Sequence, residues 1–150
     1  MGKEIRTEVE IDASAQKVWD IITGFAEYPE WNPFIRRVEG RLEQGSRITI
    51  HLTTPSGTSR TYGPKITKID PPRELRWLGK MPGLMSGEHV FEIVQEPGGR
   101  RVKLVHREVF GGLLSSFFGG SAGDIRAGFE QMNLAIKKRA EEGRAAAGGS

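Results

Sequence analysis

The chain has 150 residues, with 22 basic and 19 acidic side chains for a net charge of +3, and no cysteine. A chain of this length makes one domain with its own core, the lack of thiols excludes disulfide and thiolate chemistry, and mixed charges without an arginine-rich or stacking-aromatic face argue against nucleic acid. No apolar run is long enough to span a bilayer, the N-terminus lacks a signal peptide's layout, and Arg6 stands where a myristoylation motif requires Ser or Thr, so the expectation is a cytoplasmic protein without integral membrane contact.

Residues 4–11 alternate, with Ile5, Thr7, Val9 and Ile11 on one side and Glu4, Arg6, Glu8 and Glu10 on the other, the pattern of a half-buried strand. Asp12 or Ser14 can cap a short helix over 15–23, whose apolar side is Val18, Trp19, Ile21 and Ile22 and which Gly24 ends. Residues 25–28 add a further turn that Pro29 stops, and 31–34 are extended. Strands follow over 35–42, 47–54 and 59–69, the last bent at Gly63-Pro64. Pro71-Pro72 turns the chain into a short strand over 74–78. Residues 79–87 contain Gly79, Pro82, Gly83 and Gly87 and read as a loop. Strands over 88–95 and 101–110 are joined by a hairpin turn at Pro97-Gly98-Gly99. On the second of these, Val102, Leu104, His106, Glu108 and Phe110 share a face. A second glycine-bounded loop spans 111–120 and carries Leu113, Leu114, Phe117 and Phe118.

Ala122, Ile125, Phe129, Met132, Ile136 and Ala140 recur at steps of three and four, which predicts one apolar stripe on a helix over 120–142. Asp124 near its start and Lys137, Lys138 and Arg139 near its end suit the helix dipole. Consecutive strands on short turns followed by a terminal helix predict an α+β domain over 1–142, with an antiparallel sheet curved round the helix. Residues 143–150 read as a flexible tail. A sheet wrapped round one helix leaves a concave space that can hold a ligand.

Four groups of residues, in this order, carry a resemblance. They are Ile11-Asp12-Ala13-Ser14 with Val18-Trp19 and Tyr28-Pro29-Glu30-Trp31-Asn32-Pro33-Phe34; Pro72-Arg73-Glu74-Leu75-Arg76-Trp77; Gly87-Glu88-His89-Val90-Phe91 with His106-Arg107-Glu108; and Gly128-Phe129-Glu130-Gln131-Met132-Asn133. Over residues 3–142 the chain resembles the SRPBCC superfamily of START-related, polyketide cyclase/dehydrase-like proteins, which includes the pollen-allergen fold. It is most similar to a bacterial branch whose members are mostly of unassigned function. The resemblance implies a helix-grip fold, with two short helices after the first strand and a deep apolar cavity under the C-terminal helix. It implies no particular reaction, since members include lipid carriers, hormone receptors and cyclases.

His106 and Glu108 are the sharpest polar pair, two apart on an apolar strand face, where burial raises a carboxyl's pKa. They read either as acid and base or as groups satisfied by partners that fix the fold or a polar ligand group. Titration near a histidine's ordinary range, about pH 6 to 7, is expected if His106 is functional. His89 shares a face with Phe91 and Ile93, whereas His51 lies with Arg47 and Thr49 on the outer face. No compact spacing of metal ligands and no nucleotide-binding glycine loop is present, so neither metal nor cofactor is expected. Tyr28, Trp31 and Phe34 form an aromatic cluster that is either core or cavity wall. Phe129 and Met132 on the helix stripe, with Ile50, Trp77, Phe91 and Leu104 from the strands, complete the expected cavity lining, and Phe117 and Phe118 are expected over its mouth. The functions left open are binding of a small hydrophobic or amphipathic molecule, a cyclase, dehydratase or hydrolase using His106 and Glu108, and a protein-partner module using the apolar loop 111–120. Both a monomer and a dimer fit.

Overall fold

A computed structural model of the chain describes residues 3–81, 85–111 and 122–149. Alternation in the first segment gives strand β1 (Lys3–Ile11), which buries Ile5, Thr7 and Ile11. Ser14 caps α1 (Ala15–Thr23) by accepting the Lys17 amide at 3.1 Å. A 3₁₀ turn (Phe25–Glu27) runs directly into α2 (Tyr28–Trp31). Pro29 therefore does not stop the chain at residue 28. It sits in the first turn of α2, where a missing N–H breaks no helical hydrogen bond.

Strands β2 (Ile35–Glu39), β3 (Thr49–Thr53) and β4 (Ser59–Tyr62) form one antiparallel sheet. β2 ends earlier than its sequence suggests because Gly40 takes a φ of 122°, outside strand geometry. β5 (Lys65–Asp70), β6 (Glu74–Met81), β7 (Met85–Gln95) and β8 (Val102–Gly111) join β1 in a second sheet, ordered β1-β8-β7-β6-β5. All its pairs are antiparallel. The segment expected as one bent strand is thus two, in different sheets, with the break at Gly63-Pro64. The sheets remain linked there by the Arg47↔Lys65 bridge and by Ile48 donating to the Pro64 carbonyl at 2.9 Å.

The expected glycine-rich loop over 79–87 is a correction of a different kind. Gly79 pairs with Gly87, Lys80 with Ser86 and Met81 with Met85, so β6 and β7 run on as a hairpin. Neither glycine has a positive φ, so both fit a strand without strain. Their missing side chains serve packing instead: a Cβ on Gly79 would lie 3.4 Å from the Tyr62 ring, and one on Gly87 would collide with the Glu108 carboxyl group.

The long helix α3 (Ala122–Gly149) has 28 residues and extends beyond the predicted end at 142. It lays Phe129, Met132, Asn133, Ile136 and Ala140 on the core. Polar contacts fix its height along β1: Arg126 donates to the Arg6 carbonyl, Lys137 to the Glu10 carbonyl, and Glu141 accepts the Asp12 amide, each at 2.8 Å. At its start Asp124 accepts both the amide and the hydroxyl of Ser56, in the turn between β3 and β4. These contacts clasp the helix between the two sheets. The fold is the α+β helix-grip arrangement, antiparallel sheets curved round a C-terminal helix.

Candidate functional site

A cavity of about 340 Å³ lies between the two sheets beside the start of α3. Phe34, Leu52, Phe110 and Ile125 give it an apolar wall, and Arg60 and Lys80, both exposed, stand on its solvent side. Its buried polar lining includes His89, 2 % exposed, Thr54, 6 % exposed, and Glu108, whose side chain is 16 % exposed. The surrounding sequence places each of these groups. Asn32, fully buried, accepts the amides of Phe34 and Ile35 at 2.9 Å, and this turn aims Phe34 at the helix. There the ring meets Phe129 edge-on at 5.6 Å and lies where a Cβ on Gly128 would be.

Strand register does the rest. Trp77, His89 and Glu108 fall in one row across β6, β7 and β8, and Leu75, Phe91, His106 and Thr7 fall in the next. Adjacent same-face rows are roughly 7 Å apart, within reach of long side chains. His89 Nε2 lies 2.6 Å from His106 Nε2, and His106 Nδ1 lies 2.8 Å from Asn133 Oδ1 on α3. Asn133 Nδ2 donates to the Thr7 hydroxyl at 2.8 Å, and Thr7 donates to the His106 carbonyl at 2.7 Å. On the cavity side His89 Nδ1 is 3.3 Å from Glu108 Oε1 but makes no hydrogen bond of good geometry. A polar line therefore runs from the cavity wall through the core to β1, joining His106 and Glu108 through His89.

The rings around this line are apolar. His106 lies flat against Phe129, with centroids 4.1 Å apart and planes 8° apart, and against Phe91 at 4.5 Å. His89 stacks on Trp77 at 4.8 Å. Burial disfavours a charged imidazole here, so His89 is pushed down to about 3. His106 is held well below its ordinary value by burial and by His89, against the opposing pull of Asn133. The expected titration of His106 near pH 6 to 7 is thus displaced: both rings are neutral across that range. Burial instead pushes Glu108 up to about 7, so the cavity's near-neutral proton belongs to the carboxyl group. Burial also raises the Tyr62 phenol, with Glu108 adding to the shift.

Of the residues singled out in the sequence, Phe34, His89 and Glu108 line the cavity. Tyr28, Ile50, Trp77, Phe91, Leu104, His106, Phe129 and Met132 are buried in the core beside it. Tyr28 is held there by donating its hydroxyl to the Ile22 carbonyl at 2.5 Å. Trp31 is partly buried and packs edge-on against Tyr28. Phe117 and Phe118, with the rest of 112–120, lie outside the described residues. His51 is on the outer side of β3, bonded to Glu39 at 2.8 Å. Asn133 and Tyr62 went unrecognised as parts of the site. Asn133 had a signal, since it stands four residues after Phe129 and three before Ile136, a polar group on the apolar stripe. Tyr62 had none, because its place depends on the break between β4 and β5.

The profile of the family described as Polyketide cyclase / dehydrase and lipid transport matches residues 3–141. No curated protein matches the sequence. Among solved structures, an aromatase/cyclase (Zhui) from a Streptomyces species is similar at 16% identity, 94% coverage of each chain and a TM-score of 0.74. A point mutant of norcoclaurine synthase from Thalictrum flavum, solved with a transition-state analogue, is similar at 17% identity, covering 96% of this chain and 97% of that one, with a TM-score of 0.72. A START superfamily protein from Mycobacterium smegmatis is similar at 18% identity, covering 93% and 97%, with a TM-score of 0.68. Identities this low speak for the fold alone. With the profile spanning nearly all of the domain, the chain belongs to the polyketide cyclase/dehydrase and lipid transport family, and it shares the fold of the START superfamily protein.

Proposed function

We propose that the protein binds a small hydrophobic or amphipathic molecule, lipid-like, aromatic or polyketide-like, in the cavity between its sheets and α3. The observation that carries this reading is the cavity itself: about 340 Å³, walled by Phe34, Leu52, Phe110 and Ile125, with His89 and Glu108 as neighbouring polar groups at its inner end. That combination of apolar wall and few convergent polar groups is typical of a ligand site. The family's description, which names both cyclases and lipid transport, supports the same reading. Native mass spectrometry of protein purified from its own host tests it. A retained apolar molecule is expected, and it should be lost when Ile125→Trp fills the cavity. Adding that molecule to stripped parent should raise stability by about 2.7 kcal/mol at a hundredfold excess over Kd, by mass action. If the parent retains nothing and no apolar amphiphile shifts its melting, the reading fails.

An acid–base enzyme is the second reading, and one observation favours it: Glu108 faces the cavity with its proton poised near neutrality. His106 lies behind His89 and acts only through it. Turnover that disappears in Glu108→Gln while ligand binding persists would support this reading. Turnover unchanged in that variant would remove it.

A further inference from the structure

The polar line behind the cavity has a fixed direction. Thr7 Oγ1 lies 2.7 Å from the His106 main-chain oxygen, which carries no proton, so the hydroxyl donates there. Its oxygen then accepts from Asn133 Nδ2, which leaves Asn133 Oδ1 facing His106 Nδ1. An amide oxygen only accepts, so His106 carries its proton on Nδ1 and a lone pair on Nε2. His89 Nε2, 2.6 Å away, must supply the proton of that contact. A neutral His89 that donates from Nε2 has a lone pair on Nδ1. That atom is buried without a hydrogen-bond partner among the described residues and lies 3.3 Å from Glu108 Oε1. A carboxylate would set two lone pairs against each other there, with no solvent-exposed surface on His89 Nδ1 to relieve them. One proton between them removes the conflict.

We propose that the Thr7–Asn133–His106–His89 chain holds one proton between His89 Nδ1 and Glu108, so that the inner end of the cavity takes the hydroxyl of a neutral phenol or alcohol and rejects a carboxylate. This rests on the ligand-binding reading above and names the chemical class within it. With the proton of Oε1 directed to His89, Glu108 Oε2 is left as an acceptor. It stands beside Gly87, where no side chain blocks it. A ligand hydroxyl donates to that oxygen. A ligand carboxylate has no proton to give and brings its own charge against the acceptor. The ionisable neighbours of Glu108 are His89 on β7 and Tyr62 on β4, with Arg60 on β4 and Lys80 on β6 towards solvent; β1 sets Ile5 opposite it and α3 contributes Ile125. The burial that lifts Glu108 to about 7 agrees with a proton resting there near neutrality. Thr7, Asn133 and His106 are positioning residues, acting through His89.

Two measurements test this. Nitrogen chemical shifts of the histidine rings report tautomers in the unliganded protein. His106 should be protonated at Nδ1 and His89 at Nε2, and the reverse assignment in either ring overturns the proposal. Calorimetric titration with naphthol and naphthoate at about pH 6, where an ordinary carboxyl group is ionised, reports selectivity. The parent should prefer naphthol by about tenfold or more, equivalent to about 1.4 kcal/mol. Glu108→Gln, whose amide donates to His89 and accepts from a hydroxyl, should bind naphthol as the parent does, and Glu108→Leu, which has no acceptor, should bind it about tenfold more weakly. Equal affinity of the parent for both probes overturns the proposal and leaves ligand binding standing. Failure of both probes to bind overturns the phenol and alcohol selectivity, while the ligand-binding reading is decided separately by the retained molecule and the melting shift.

Discussion

Replacing Glu108 with Gln should change how stability depends on pH, because it removes one proton-binding group while keeping shape and hydrogen bonding. Glu108 has a folded-state value of about 7 against 4.5 for an ordinary glutamate. A group whose folded value is raised contributes stability that is complete below about pH 4.5 and is lost as pH rises to about 7. The histidines work the other way. His89, pushed from 6.5 down to about 3, and His106, also lowered, add stability as pH rises towards 6.5. Between about pH 4.5 and 6.5 the unfolded chain therefore binds two extra protons on histidines and one fewer on Glu108. Each whole proton corresponds to a slope of about 1.4 kcal/mol per pH unit, so the parent's rise is limited to about one such slope and the variant's to about two. With Glu108 16 % exposed, solvent reduces its share, and the two curves should separate by about 2 kcal/mol across the window. Urea unfolding of both proteins at half-unit steps of pH measures this, and the midpoint must be compared at constant m. Parallel curves would refute the raised carboxyl group, and with it the neutral polar end of the cavity.

Three further substitutions probe the same core. Asn133→Leu leaves the His106 Nδ1–H and one side of the Thr7 hydroxyl without partners, and should cost about 2–4 kcal/mol by denaturant unfolding, whereas a loss under about 1 kcal/mol would mean that the polar line contributes little. Phe129→Ala removes a ring 1 % exposed that touches Phe34, His89 and His106, and should cost about 3–5 kcal/mol; a near-zero effect on the melting curve would contradict the packing of α3. Gly128→Ala places a methyl group on the Phe34 ring and should cost about 1–3 kcal/mol despite alanine's better helix propensity, so a stabilised variant would show that α3 does not approach Phe34 closely.

The fold was legible because its main signals are local. Period-two alternation in β1 and β8, steps of three and four in α3, and the Pro97-Gly98-Gly99 turn each need only a short window of sequence. The turn is built as its glycines suggest, with Gly98 at φ 96° and Gly99 at 69°. The misreadings came where one residue type serves two ends. Gly79 and Gly87 resemble loop residues, yet they are strand residues whose missing side chains admit Tyr62 and the Glu108 carboxyl group. Pro29 resembles a stop, yet in the first turn of α2 it forfeits nothing.

The site was legible only as far as faces are. Alternation put His89, His106 and Glu108 on the inner face, but alternation carries no register, and register decides which of them meet. Because His89 stands opposite Glu108, and Phe91 opposite His106, the carboxyl group reaches the cavity while His106 is enclosed between Phe91 and Phe129. A two-residue offset along one strand thus separates a cavity-facing acid from a histidine that burial keeps neutral near neutral pH. The remaining clue lay far along the chain: Asn133, a polar residue on a stripe that otherwise seals the core. An amide buried there must find both a donor and an acceptor, and the neighbouring apolar residues offer neither. Its presence required a polar counterpart on the facing sheet, and Thr7 and His106 are the inward polar residues of β1 and β8 that meet that need. The same amide, by presenting its oxygen to His106, sets the direction of every proton from the helix to the cavity.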